Sequence, residues 1–313
     1  MATNYDLIAI DLDGTLLCTR GRVSEVNRAA IRRAVDAGVQ VCICTGRGLN
    51  ECKHFAAQVG LDGPLVVAGG AIVSDAATGR TLRRFPMRLD LVERLVGCMN
   101  AHGHAALVLK DPASVAESGL VPGHDYLIVS PEGENAVDPI SRWWFKAHDI
   151  RYHVVPSLGD DEHPELTVRV GVCGTRTRTR AAAHELREVF ADDVTFHHFH
   201  AVVPAEAAAH AAAHSGRHVD TDADQILILE AFDKSVSKWN AIGWLASERG
   251  IDTARVAAIG NDINDIAMLR GAACGVAMGN AIPEARAVAD RHTLENDADG
   301  VAHAIDLILA GEW

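Results

Sequence analysis

The sequence predicts an α/β fold: a doubly wound, Rossmann-like parallel sheet with a smaller α+β unit inserted in the middle of the chain. Three observations predict it. Short apolar runs alternate with helix-patterned segments at both ends of the chain, which is the rhythm of βα units packed on a parallel sheet. Three of those runs stop in polar residues: Asp11-Leu12-Asp13-Gly14-Thr15, Thr45-Gly46-Arg47 and Gly260-Asn261-Asp262-Ile263-Asn264-Asp265. The stretch between the two ends loses the rhythm and mixes longer helices with scattered strands.

The N-terminal elements follow in order. Leu7–Asp11 reads as a buried strand. Ser24 is placed to cap a helix through about Ala37, which Gly38 ends. Residues 39–44 form the second strand, 49–59 a helix and 65–68 a short strand. Gly69-Gly70 then leads into a hairpin pairing 72–74 with 81–85, turning at Thr78-Gly79. The C-terminal elements are a helix at 238–249, a buried strand at 256–259, a helix around 266–269, a strand at 274–278, and helices at 283–288 and 301–309. Pro283 suits the first turn of its helix. In the middle, 91–102 and 179–190 read as helices and 105–109 and 166–172 as strands, with a Gly-, Pro- and acid-rich loop at 157–164. The domain expectation is a core of 1–86 with 230–313 and an insert of 87–229. The Ala-rich, His-dotted run at 205–218 carries no clear pattern.

Composition narrows the function classes. A hydrophobic fraction of 48% supports a substantial core, and an aromatic fraction of 5% makes its packing aliphatic. The net charge of −13, with no long basic stretch to offset it, disfavours nucleic acid as a partner. No apolar run reaches membrane-spanning length, and no basic leader followed by an apolar stretch opens the chain. The seven cysteines are odd in number and include no CxxC pair, which fits a reducing compartment and a cytoplasmic location. The sequence leaves the oligomeric state open.

In an open parallel sheet, ligands gather at the C-terminal ends of the strands. Three polar strand ends, spread over more than two hundred residues of sequence, therefore converge on one edge. Two carboxylates at i, i+2 on the first of them can divide labour, one as a metal-bound nucleophile and the other as a proton donor. Asp-x-Asp alone would sooner describe an acidic helix cap. The fuller Asp-x-Asp-Gly-Thr after an apolar strand favours chemistry.

This set resembles the haloacid dehalogenase (HAD) superfamily of phosphohydrolases, and most of all its Cof-type, sugar-phosphatase-like branch, subfamily IIB. The matching pieces are Asp11-Leu12-Asp13-Gly14-Thr15, Thr45-Gly46-Arg47, Val236-Ser237-Lys238, Gly260 to Asp265, Val276-Ala277-Met278-Gly279-Asn280-Ala281, and Asn296-Asp297-Ala298-Asp299-Gly300-Val301-Ala302. They cover both ends of the chain, roughly half of it. The insert matches the branch's α/β cap by position and texture.

The resemblance implies a phosphatase acting on a small phosphorylated metabolite, a sugar phosphate, with Mg²⁺ as cofactor and an aspartyl-phosphate intermediate. Asp11 would attack phosphorus. Asp13 would protonate the leaving oxygen and then activate water, and its backbone carbonyl would bind the metal. Thr45, Gly46 and Lys238 would bind the phosphate. Asp11, Asp13, Asn261, Asp262 and Asp265 form the expected metal set, with Asn264 and Asn280 in support. Lys234, one helical turn before Lys238, is a second candidate for the lysine. Two competing readings use the same residues: a phosphomutase, and a non-catalytic phosphometabolite-binding protein.

Two departures from the branch stand out. Asn261 occupies the position after Gly260 where the family usually has Asp, so either Asn261 or Asp262 is the ligand, and the place beside Gly260 favours Asn261. Gly69 stands where Asn is usual. Other features have plain readings. Arg47 is a phosphate ligand or a solvated helix-start residue, the second preferred. The 175–180 Thr/Arg run is a solvated helix start, Trp143-Trp144 pack or line a pocket, and His210, His214 and His218 form a solvated face.

Overall fold

The computed structural model describes residues 4–111, 124–201 and 226–313. The run at 205–218, with its three histidines, lies outside the described residues. The described chain divides into two compact units, one of residues 1–83 with 235–313 and one of 84–234.

The first unit is a sheet of eight strands. In chain order these are β1 (Leu7–Asp11), β2 (Gln40–Cys44), β3 (Pro64–Val67), β4 (Ile72–Asp75), β5 (Thr81–Arg84), then β12 (Val256–Gly260), β13 (Cys274–Ala277) and β14 (Arg291–His292). They lie in the order β14-β13-β12-β1-β2-β3-β4-β5. β1 pairs in parallel with both β12 and β2, so the chain reverses its winding direction at β1, the place where such sheets bind ligands. β3 and β4 are antiparallel, so the far edge is a meander rather than another βα unit. β1, β2 and β12 have no residue exposed, which is why their sequences are apolar without alternation.

Helices cover the sheet in two groups. α1 (Glu25–Asp36) packs against α2 (Leu49–Val59) and α9 (Gly300–Ala310). Ser24 accepts the amide of Asn27, as its capping position predicts, and Ala30, Ile31 and Ala34 form the buried stripe of α1. The other group is α6 (Lys238–Glu248), α7 (Ile266–Gly271) and α8 (Pro283–Val288).

Among the described residues the second unit is a six-stranded sheet in the order β10-β11-β9-β6-β7-β8, from β6 (Ala106–Lys110), β7 (Tyr126–Val129), β8 (Tyr152–Val155), β9 (Thr167–Thr175), β10 (Val194–Ala201) and β11 (Ile226–Asp233). Its pairings are antiparallel except β7 with β8. α3 (Leu89–Ala101) and α5 (Arg176–Phe190) bury Leu91, Leu95, Met99, Ala183, Leu186 and Phe190 against one face. α4 (Pro139–Ala147) places Ile140 on Cys173 and Ile226.

The middle of the chain is where the sequence reading falls short. β7, β8, α4, β10 and β11 were not foreseen. β10 reads Val-Thr-Phe-His-His-Phe-His-Ala, and its histidines hide the alternation of a strand. β11 runs unbroken from Ile226 to Asp233, with pairing to β10 along its whole length, so the second unit ends at 234 rather than at the expected 229. At the other end, β3 stops at Val67 instead of including Ala68, because Ala68, Gly69 and Gly70 all take left-handed backbone angles, with φ of 50°, 67° and 101°.

Candidate active site

The strand register carries the three polar ends to one edge of the first sheet. Asp11, the last residue of β1, sits opposite Cys44, after which Thr45-Gly46-Arg47 follows; Gly260 ends β12 on the other side of β1. Tight turns then bend the chain back, with Leu16 N–H donating to the Asp11 carbonyl at 3.2 Å and Leu17 N–H to the Leu12 carbonyl at 2.9 Å.

Lys238 is the centre of the site. It is the first residue of α6, and its N-cap Ser237 accepts the amide of Asn240. Its side chain is fully buried, and Nζ lies 2.6 Å from Asp11 Oδ1 and 2.6 Å from Asp265 Oδ1. Lys234 is half-exposed and donates to the Asp192 carbonyl, so Lys238 is the lysine at the strand ends. Close approach of the backbone puts it there. A Cβ on Gly70 would meet the Ser237 carbonyl oxygen at 2.2 Å and the Lys238 nitrogen at 2.7 Å, so the left-handed 68–70 turn seats the start of α6.

One ammonium between two buried carboxylates leaves a net negative charge away from water. Burial, reinforced by the charge of Asp265 and opposed by Lys238, pushes the Asp11 carboxyl up to about 7. Burial works against the Lys238 ammonium, but Asp11 and Asp265 outweigh it and hold its proton more tightly than usual.

Asp265 shapes the third strand end. Its Oδ2 accepts the amides of Asn261 at 2.8 Å and Asp262 at 3.0 Å, and its Oδ1 takes Lys238. Both oxygens are therefore engaged inside the protein, where Asp265 orders the 260–265 loop. Its carboxylate packs where a Cβ on Gly260 would sit, at 2.7 Å. Asp262 turns to cap the next short turn, its Oδ1 accepting the amide of Ile263 at 2.6 Å. Asn261 turns towards the first strand end. Its Oδ1 accepts the Thr15 hydroxyl at 2.9 Å, and its Nδ2 lies 2.5 Å from the position of a Gly14 Cβ.

Asp13 is half-exposed, unlike Asp11. Arg47 grips it with Nε on Oδ2 at 2.8 Å and Nη2 on Oδ1 at 2.6 Å, while the guanidinium lies over the Phe55 ring. Arg47 is thus not the solvated helix-start residue preferred from the sequence. Thr45 is buried, and its hydroxyl accepts the Arg47 amide at 3.1 Å, which keeps its own proton available as a donor. Gly46 faces Asn264, whose Nδ2 is 3.7 Å from where a Cβ would be. Asn280 donates to the Gly14 carbonyl at 2.8 Å and accepts the amide of Asn296 at 3.0 Å, fastening the Asp13-Gly14 turn to the chain's tail.

The structure thus brings Asp11, Lys238 and Asp265 into one cluster and Asp13 into another with Arg47, and ties Asn261 and Asn280 to the turn that joins them. Thr15, Gly70 and Asn296 were absent from the expected site. Thr15 and Asn296 lay within quoted motifs, and Gly70 carried the signal of a double glycine after a strand.

The profile of the haloacid dehalogenase-like hydrolase family matches residues 8–151 and 185–305. The chain belongs to this family. The 5-amino-6-(5-phospho-D-ribitylamino)uracil phosphatase YitU of Bacillus subtilis is 29% identical, over 96% of this chain and 97% of that protein. The pyridoxal phosphate phosphatase YbhA of Escherichia coli is 27% identical, over 96% and 97%. A solved sugar phosphatase of HAD subclass IIB superposes with a TM-score of 0.69 at 17% identity, covering 96% of this chain and 98% of that one, and shows the shared fold. This chain is a hydrolase of the phosphatase kind.

Phosphatases of the family generally use a divalent metal. The residues present fit one: Asp11, the Asp13 carbonyl, Asn261 and Asp262 offer only oxygen, as a hard divalent cation requires. Among the described residues no helix is long and apolar enough to cross a membrane.

Proposed function

We propose that this protein is a Mg²⁺-dependent phosphatase of a small phosphorylated metabolite, a sugar phosphate, working through an aspartyl-phosphate. The observation that carries the reading is the pairing of a buried Asp11, 2.6 Å from a fully buried Lys238, with a half-exposed Asp13 two residues on. Asp13, unlike Asp11, is open to solvent, where water and a leaving alcohol can reach it, and a metal bound at Asp11 would keep that buried carboxyl ionised.

In this reading an oxygen of Asp11 attacks phosphorus and the bond to the leaving alkoxide breaks. Asp13 gives that oxygen its proton. Asp13 then takes a proton from water, the resulting hydroxide attacks phosphorus, and inorganic phosphate leaves with Asp11 regenerated. Thr45 donates its hydroxyl proton to a phosphoryl oxygen, and Lys238 supplies fixed positive charge beside Asp11 without needing to reorganise. Mg²⁺ would be held by Asp11, the Asp13 carbonyl and Asn261, with Asp262 as the other candidate, and would neutralise phosphoryl charge. Asn261 is favoured because its amide faces the Asp loop while Asp262 caps its own turn. The seven free thiols support a cytoplasmic location.

YitU and YbhA are phosphatases of phosphorylated small molecules, which supports the same substrate class here. Selectivity among leaving alcohols is assigned to the inserted unit, since the core residues named above attend to phosphate. The test is a screen of phosphorylated metabolites with and without Mg²⁺, with Asp11→Asn as blank. Mg²⁺-dependent phosphate release by the native protein alone supports the reading. Isomer formation without phosphate release identifies a phosphomutase, and no turnover with ligand binding identifies a binding protein.

A further inference from the structure

A second group of ligand-type side chains lies in the inserted unit and has no part in the chemistry above. Cys98 and His102 are one helical turn apart at the end of α3, and Glu185 stands on α5, which packs beside it. His102 Nε2 is 2.7 Å from Glu185 Oε2, and the Cys98 sulfur lies within 4.8 Å of both. Among the described residues this is the only group of three His, Cys, Asp or Glu side chains gathered so tightly. The geometry points to a Zn²⁺-type site, formed by Cys98, His102 and Glu185, that clamps α3 to α5.

The donor chemistry selects the ion. Thiolate with imidazole suits a borderline-soft divalent cation such as Zn²⁺ or Co²⁺, whereas Mg²⁺ takes oxygen. Three protein ligands leave a fourth, water-filled position in a tetrahedral shell. The reach is right as well. Metal–ligand bonds of about 2.0–2.3 Å place tetrahedral ligand atoms about 3.3–3.8 Å apart. The His102–Glu185 pair must open slightly to reach this, and both side chains are partly exposed and free of the core. The backbone supports the arrangement, since α3 delivers Cys98 and His102 to the same side and neighbouring Met99 and Leu186 lock the two helices together in the core. On binding, the Cys98 S–H loses its proton to solvent and the sulfur takes the ion in its place.

The test is a Co²⁺ titration of the full-length, reduced, metal-stripped protein with Mg²⁺ in excess to fill oxygen sites. Thiolate ligation gives a near-ultraviolet sulfur-to-cobalt charge-transfer band with the visible bands of tetrahedral Co²⁺, and Zn²⁺ should bleach both. Cys98→Ala should abolish the charge-transfer band. His102→Ala and Glu185→Gln should each weaken Co²⁺ binding by about 10²-fold or more, beyond the 10–100-fold of a lost outer partner. Cys18→Ala, at another partly exposed thiol, should change nothing, and Mg²⁺-dependent phosphatase turnover should survive Cys98→Ala. A native protein without the band, a band that persists in Cys98→Ala, or unchanged affinity in both His102→Ala and Glu185→Gln overturns the site.

Discussion

Arg47 holds Asp13 by two parallel hydrogen bonds, Nε to Oδ2 at 2.8 Å and Nη2 to Oδ1 at 2.6 Å. The carboxylate reaches towards solvent, and the guanidinium is largely buried against Phe55. A residue of the second strand end therefore sets the rotamer of a residue from the first. A bidentate fork fixes direction as well as charge.

Removing the fork should mislead the proton donor rather than the nucleophile. Arg47→Ala is expected to lower turnover of sugar phosphates by up to about 10²-fold, the scale of a small misplacement in a catalytic group. Arg47→Lys, which keeps charge but not the fork, should recover little. Steady-state kinetics on a sugar phosphate and on p-nitrophenyl phosphate check this, because the aryl leaving group needs little protonation and should show the smaller loss.

Asp13→Ala should cost about 10²–10⁴ in turnover, the range for lost general acid/base help. The loss should again shrink on the aryl phosphate. An equal loss on both substrates would remove Asp13 from the role of proton donor.

Asp11→Asn should abolish turnover, since an amide cannot form the acyl-phosphate. It should also change the pH dependence of stability in chelator. The Asp11 carboxyl sits at about 7 in the fold and near 3.9 in an unfolded chain. Between those values the native state binds more protons than the unfolded state, so this residue's contribution to stability falls as pH rises from about 4 to 7. Asn carries no such proton. The melting temperature of Asp11→Asn should therefore exceed that of the native protein at pH 8, and the gap should close towards pH 4.

Asn261→Asp should tighten Mg²⁺, read as a lower half-saturating concentration in activity titrations, because it adds a charge where the amide faces Gly14 and Thr15. Asp262→Ala should leave the Mg²⁺ response in place and cost only the capping bond to Ile263, typically about 1 kcal/mol. Loss of the response in Asp262→Ala alone would give the ligand role to Asp262.

Gly70→Ala should lower stability and turnover together. A methyl there meets the Ser237 carbonyl at 2.2 Å and also demands a φ of 101°, so the start of α6, and Lys238 with it, must move. A thermal melt together with kcat checks this, and a fully active, fully stable variant would show that the 68–70 turn does not seat Lys238.

Most of the first unit was legible in the sequence because its signals are local. Ser24 and Gly38 mark helix ends, Pro283 marks a helix start, and the apolar runs of β1, β2 and β12 need no partner to be read as buried strands. The inserted unit was harder. β10 and β11 are held by cross-strand pairing, and their sequences alone, one studded with histidines and one running past an expected boundary, do not announce it.

By itself, then, the sequence determined the chemistry available: which carboxylates end the first strand, which lysine candidates exist, and that the third strand end carries Asn where an acid was expected. Only the tertiary structure decided how those groups are used. It chose Lys238 over Lys234, spent Asp265 on two backbone amides and the lysine, turned Asn261 towards the Asp loop, and set Arg47 on Asp13. The physical reason is that residue type fixes what a side chain can donate or accept, whereas its partners depend on distances between strand ends that are far apart in the chain and adjacent only in the sheet.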